Sequence, residues 1–421
     1  MSRHSLSCYL GGGALLLTPL FAGASGIHAL DAVTPFAATA SAGHATDTGV
    51  TASYNNPAGL GWFQGQELYI GATVTDDSLT FYDEGSTTGP DADADERRKD
   101  SIDYSLGVSF APTFFYASSI DDNLAYGISL APMVGGGVDF GSNWVGSGFV
   151  NNSVVMVAGL SLALGHRIND AWSLGASLGA AYLSWELDME PMPNATGAIE
   201  LEDVQPYWQL GLMYQPTDTT RMGLRYLSEV DFEPSGDADL DLNGHKVRTD
   251  AEMAHFNLPN MVSFSINHQL TERLAVLADV KWSEWSSMEE NKLTLTGGGI
   301  PDMEMLVDRN WRDTWGGAVG VIYQQSEALS LKAGVSYDGS PVAKEDHKLD
   351  PPLDRHIRYA LGFTYAPIEQ NWSVDLSYQY LDLGDAEVNQ AIPDDSSPVY
   401  VVKGSSKSHV NIFNLALGYR F

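Results

Sequence analysis

Two histidine–aspartate couples, His44 with Asp47 and His356 with Asp354, are the residues whose types first suggest chemistry. A histidine oriented by a carboxylate is the base of a nucleophilic triad, and such a triad also needs a nucleophile within hydrogen-bond reach. No G-x-S-x-G elbow marks one serine among the many. The pattern therefore argues against an outer-surface lipase or protease. The single cysteine, Cys8, excludes a disulfide framework and any thiolate metal site. The acidic runs Asp91-Ala92-Asp93-Ala94-Asp95-Glu96 and Asp237–Asp241 offer the oxygen ligands that Ca²⁺ takes, but neither has the spacing of a defined calcium loop. They read as solvated surface, and neither a metal nor a cofactor is expected.

The elements that must carry these residues are constrained by composition. Across 421 residues, 54 acidic side chains face 22 basic ones, for a net charge of −32. That balance opposes a nucleic-acid partner, which needs concentrated Lys and Arg. Disorder is also excluded, because 44% of the residues are hydrophobic. Residues 1–24 read as a secretory signal: Arg3 and His4 open it, Tyr9–Phe21 is apolar, and Ala22-Gly23-Ala24 offers a cleavage site. This stretch is too short for a spanning helix, and no later run of 18 apolar residues exists. Two destinations remain, a soluble exported domain or a closed β-barrel in a membrane.

Period-two alternation decides between them. In 409–421, Phe413, Leu415, Leu417, Tyr419 and Phe421 share one face, against Asn414, Ala416, Gly418 and Arg420. The same division holds in 357–366, with Tyr359, Leu361 and Phe363 against Arg358, Ala360 and Gly362, and in 313–324. Large apolar residues outside and small or polar ones inside are the pattern of a transmembrane barrel. Short turns near 119–123, 168–171, 216–219, 271–273, 325–328 and 367–371 alternate with longer acidic stretches near 83–103, 139–152, 189–203, 234–259, 297–311, 339–356 and 384–408. The long stretches are expected to be loops. Together they predict an all-β protein: a transmembrane antiparallel β-barrel of about 14 strands over 67–421, in the bacterial outer membrane.

Residues 25–66 alternate poorly and precede the first good strand face, Leu68, Ile70, Ala72 and Val74. A periplasmic tail is one reading. Against it, Asn55-Asn56-Pro57-Ala58-Gly59-Leu60 combines a fixed φ, a permissive glycine and amide side chains that bond nearby backbone, so it should fold compactly. The lumen is the place open to it.

With Ser41-Ala42-Gly43 and this Asn-Pro-Ala-Gly run, the sequence resembles the FadL-type outer-membrane transporters of long-chain fatty acids or aromatic hydrocarbons. Asn257-Leu258-Pro259, Trp282-Ser283-Glu284-Trp285, Asn310-Trp311-Arg312-Asp313, Tyr337-Asp338-Gly339-Ser340-Pro341 and the closing Gly418-Tyr419-Arg420-Phe421 continue the resemblance in order. It implies an N-terminal hatch inside a fourteen-stranded barrel and passive uptake of a hydrophobic small molecule, most simply a long-chain fatty acid, with an aromatic or alkane hydrocarbon as the alternative. The hatch motif is Asn56, Pro57, Ala58 and Gly59. An adhesin would have no need of it. The implied partners are the ligand and the lipid and lipopolysaccharide of the outer membrane, with the barrel a monomer.

The third strand carries Pro132 and then Gly135, Gly136 and Gly137. Proline removes a ladder donor and the glycines leave nothing to pack, so pairing should be interrupted or kinked there. An ordinary bulge is one outcome. The resemblance implies the other, an inward kink that opens the wall sideways to lipid. It also places Arg312 where fatty-acid members hold a cation for the carboxylate, a role suited to a guanidinium that binds both oxygens. A pair with Asp313 is the competing role. Arg225, Lys281, Arg358, Trp185 and Tyr207 are candidates for the lumen lining, a mixture that favours an apolar tunnel with polar interruptions.

Overall fold

The alternating segments form fourteen strands in the structure, a computed structural model that describes residues 34–87, 101–142, 144–192, 195–288, 290–350, 352, 354–392 and 400–421. The expected signal and the acidic run at 91–96 lie outside these residues. β1 is Gln66–Asp83, β2 is Ser101–Tyr104 with Val108–Ser119, β3 is Leu124–Asp139, β4 is Asn152–Arg167 and β5 is Trp172–Met192. β6 is Ala195–Thr217, β7 is Thr220–Leu227 with Ser235–Leu242, and β8 is His245–Ala254 with Met261–Thr271. β9 is Leu274–Ser283 with Glu290–Thr296, and β10 is Met303–Asp308 with Thr314–Ser326. β11 is Leu329–Asp338, β12 His356–Tyr365, β13 Trp372–Ile392 and β14 Tyr400–Arg420. Each pairs antiparallel with its neighbours, and β1 closes the barrel on β14, with Leu68 opposite Tyr419 and Val74 opposite Phe413.

Short turns hold one rim because their side chains bond the turn backbone. Asp121 Oδ1 accepts from the backbone N–H groups of Asn123 (2.8 Å) and Leu124 (2.9 Å). Asn169 Oδ1 does the same for Ala171 and Trp172. No described helix is long and apolar enough to cross a membrane, so the strands do the crossing. Leu160, Leu162, Leu164, Val319, Leu361 and Leu415 are exposed around the outside. Aromatic pairs border this band: Trp172 stacks on Tyr214 and Tyr365 meets Trp372 near the short turns, while Trp208 lies against Tyr226 further up. An apolar band between aromatic girdles is what a lipid bilayer selects.

Several stretches expected as loops are strand extensions instead. Asp237-Ala238-Asp239-Leu240-Asp241-Leu242 pairs with both β6 and His245–Ala254. Its acids alternate with Ala238 and Leu240, which are buried, so an acidic composition concealed a period of two. Within the regions 189–203 and 384–408, residues 197–203, 385–392 and 400–407 are likewise paired.

Residues 34–62 fold inside the barrel as short turns. A 3₁₀ turn at Ala37–Thr39 packs on β10–β13, one at His44–Thr46 on β7 and β8, and one at Pro57–Trp62 on β3–β6. Asn56 sets the geometry: its Oδ1 caps the Ala58 N–H at 3.1 Å, and its Nδ2 donates to the Ala45 carbonyl at 2.7 Å. Gly59 has no room for a side chain, because a Cβ would lie 1.8 Å from the Asp47 carbonyl oxygen. The wall answers in kind. A Cβ at Gly211 would lie 2.0 Å from Asn56 Oδ1, and one at Gly223 would lie 1.8 Å from the Ala45 oxygen. The small inward faces of the strands thus admit a second backbone.

β3 changes character halfway along. Residues 124–130 alternate in exposure, whereas Ala131–Val138 is buried on both faces apart from half-buried Met133. Pro132 pairs with Ala158 and Val134 with Val157, leaving Met133 as a bulge. Pairing with β2 stops at Phe114–Leu130. The glycines do not interrupt the ladder as expected, since Gly135, Gly136 and Gly137 remain opposite Met156, Val155 and Val154 of β4. The interruption falls on the other edge, between β3 and Val108–Thr113 of β2. Burial on both faces begins at Pro132 and the bulge, and the glycines let the strand lie close to β4: a Cβ at Gly137 would sit 2.2 Å from the Ser153 oxygen.

Candidate functional site

Two cavities lie in line above the N-terminal segment. The inner one, a space of about 1100 Å³ including its mouth, has Ser41, His44, Tyr54 and Asn55 as its floor. Arg225 of β7 and Lys281 of β9 reach its wall, as does Tyr207 of β6. Arg225 Nε donates to Gln209 Oε1 at 2.8 Å, and its guanidinium lies 5.8 Å from the Tyr54 ring centre. Lys281 Nζ lies 2.9 Å from Asp338 Oδ1. Met133 and Val134, at the β3 bulge, line the same space, so the cavity adjoins the break in the wall.

The outer cavity, about 620 Å³, is lined chiefly by large apolar side chains, among them Trp185, Met253, Phe256 and Trp311. Its polar members are Ser153, Asn291, Arg309 and Asp350. Val134 and Leu258 line both cavities and form the partition between them. Leu258 is placed there by a short ribbon, Val230–Phe232 paired with Phe256–Leu258, that interrupts β7 and β8.

The histidine couples do not form catalytic pairs. His44 Nδ1 lies 3.0 Å from Asp279, not Asp47, and the Ser265 hydroxyl donates to the same Asp279 carboxylate, not to the imidazole. Asp47 accepts from Thr51, Asn55 and the Gly49 N–H within the segment. Asp354 accepts from the Asp385 N–H. Among the described residues no cluster of three or more His, Cys, Asp or Glu is placed to hold a metal ion.

The lining candidates divide. Arg225, Lys281 and Tyr207 line the inner cavity and Trp185 the outer, where its Nε1 donates to Ser153 Oγ at 3.1 Å. Arg358 is buried on β12 and lines neither. Arg312 is exposed and lines neither. Residues 309–313 form the irregular link between Met303–Asp308 and Thr314–Ser326, with Asn310 at a φ of 49°; Arg309 and Trp311 are buried there, 7% and 8% exposed, while Arg312 faces out. Strand alternation does not hold through such a link, so period two gave no signal for Arg309. Nothing in the sequence pointed to Asp350, which comes from the distant β11–β12 connection.

A barrel of this strand number, occupied by its own N-terminal segment, narrows the comparison to few families, and the family model for outer membrane transport proteins matches residues 15–421. The chain belongs to the OMPP1/FadL/TodX family. The family comprises outer-membrane channels for hydrophobic substrates, and this chain is an integral outer-membrane member of it. The long-chain fatty acid transport protein of Escherichia coli O6:H1 is 22% identical over 366 residues, covering 77% of this chain and 79% of that one. Among solved structures, a Pseudomonas aeruginosa FadL homologue superposes with a TM-score of 0.81 at 21% identity, covering 92% of this chain and 98% of its own. The Pseudomonas putida toluene transporter TodX follows at 0.73 and 18%, covering 95% and 99%. These likenesses to solved structures show the fold.

Proposed function

We propose that the protein is a passive channel for long-chain fatty acids, with residues 34–62 acting as a hatch and the substrate leaving sideways between β2 and β3. The observation that carries this reading is an interior cavity holding Arg225 and Lys281 directly beside a stretch of wall without interstrand pairing. Burial of an alkyl chain contributes roughly 0.8 kcal/mol per CH₂, so the apolar lining drives entry. The cations select for a carboxylate end. Both are already partnered, and a headgroup would join rather than create that network. Exit through the wall spares the chain from crossing water.

Gly135→Leu and Gly136→Leu test the route. In correctly folded protein, fatty-acid uptake should fall while binding persists. Uptake at the wild-type rate in both variants would assign exit to the periplasmic end. The aromatic outer cavity supports a second reading, uptake of aromatic hydrocarbons, since Trp185, Phe256 and Trp311 present ring faces and edges to flat ligands. Competition between dodecanoate and toluene for the purified barrel separates the two.

A further inference from the structure

The β11–β12 connection folds down over the outer cavity. Val342 packs with Trp285, Met288 and Trp311, and Leu349 is fully buried in the lumen core. His347 Nδ1 lies 2.9 Å from the Glu387 carbonyl oxygen and the Leu349 N–H donates to Gln390 Oε1, while the charged attachment to the cavity wall is Asp350, whose carboxylate takes Arg309 in a forked pair, with Nη1 at 3.3 Å from Oδ1 and Nη2 at 3.1 Å from Oδ2. Arg309 Nη1 also lies 3.3 Å from the Asp350 carbonyl oxygen, and Nε donates to Asn291 Oδ1 at 2.8 Å. The guanidinium thus makes four hydrogen bonds, is nearly buried, and is set in the wall of a cavity lined chiefly by apolar side chains.

We propose that this pair is a carboxylate-exchange latch: an incoming fatty-acid carboxylate takes the place of Asp350 on Arg309 and frees the β11–β12 connection. The proposal rests on the fatty-acid reading above. Its physical basis is that like replaces like. A buried guanidinium left without a carboxylate is costly, whereas exchange of one carboxylate for another keeps it paired throughout. The fork of Arg309 accepts any carboxylate in the same two-bond geometry. Asp350 belongs to a connection that also carries exposed Lys344 and Glu345, so once displaced it has water to go to. A neutral ligand of equal length has no group to offer Arg309. It would either leave the latch closed or break the pair and strand both charges. The outer cavity therefore discriminates by headgroup before the ligand passes Leu258.

The experiment uses the full barrel in nanodiscs, with dodecanoate and its neutral counterpart dodecanol as probes. A spin label at Glu345→Cys reports the connection; Cys8, in the expected signal, is the chain's only native cysteine. Dodecanoate should raise label mobility and dodecanol should not. Asp350→Asn removes the competing charge, so dodecanoate should bind about tenfold more tightly, with dodecanol unchanged and the label mobile before ligand is added. Arg309→Gln should reduce dodecanoate binding to the level of dodecanol, and Arg309→Lys should restore part of it. If Arg309→Gln fails to fold, Asp350→Asn decides alone. Dodecanoate uptake with an unaltered affinity in Asp350→Asn overturns the latch and leaves the fatty-acid reading standing. Uptake of dodecanol without dodecanoate overturns both.

Discussion

In the half of the barrel nearer the short turns, the wall faces inward with glycine and serine; in the half nearer the long connections, it faces inward with tryptophan, leucine and methionine. One strand shows both. β5 turns Ser173, Gly175 and Ser177 inward at its start and Leu183, Trp185 and Leu187 inward further on. The first kind of wall receives a backbone, and it does so through hydrogen bonds such as the Ala45 N–H to Ser265 Oγ, Asn56 to the Leu212 carbonyl and Trp62 to Ser173. The second kind receives side chains and leaves two cavities. Small residues therefore specify one partner closely, while large apolar ones leave space that differently shaped ligands can fill.

Damage to each half should therefore have a different signature. Deleting residues 34–62 should have the largest effect, raising single-barrel conductance many-fold in planar bilayers, because the mostly small inward side chains of the lower wall leave the lumen for that segment to fill. Unchanged conductance would show that the upper half seals the channel by itself. Trp185→Ala should come next in stability, costing about 3 kcal/mol as a large buried ring is lost. Denaturant titration should register that loss while conductance stays low. Gly211→Leu should reverse the pattern: overpacking costs about 1–3 kcal/mol, yet conductance should rise because Asn56 loses its seat. A leaking Trp185→Ala or a tight Gly211→Leu would erase the distinction. The smallest effect is expected for Asn56→Ala, about 1 kcal/mol from the lost cap, seen as a lower melting temperature and brief opening events.

Much of this division is legible from residue order. The outward faces at 313–324, 357–366 and 409–421 are exposed as alternation requires, and the strand number follows from the spacing of the short turns. Two features resisted reading because tertiary context decides them. Arg309 and Arg312 lie in a link between two strands, with Asn310 at a φ of 49°, so period two assigns neither to a face and only burial shows that Arg309 points inward. Pro132 and the following glycines mark an irregular strand, but which edge loses its partner depends on the register of β2, set by its long pairing with β1. The Arg309–Asp350 pair joins segments about forty residues apart through a connection without periodicity, so local pattern has no hold on it.

The end of pairing at Phe114–Leu130 also bears on the mechanics of the barrel. Below that level the interstrand ladders make an unbroken hoop, and a hoop of hydrogen bonds resists any change of circumference. Above it the ring is cut between β2 and β3, and the ends meet through contacts alone: Phe140 and Trp144, with rings 3.9 Å apart, lean on Phe81 of β1 and Tyr104 of β2. A cut ring bends where a closed one must stretch. The upper barrel is thus a split ring held by an aromatic clasp, and the lower one a closed hoop.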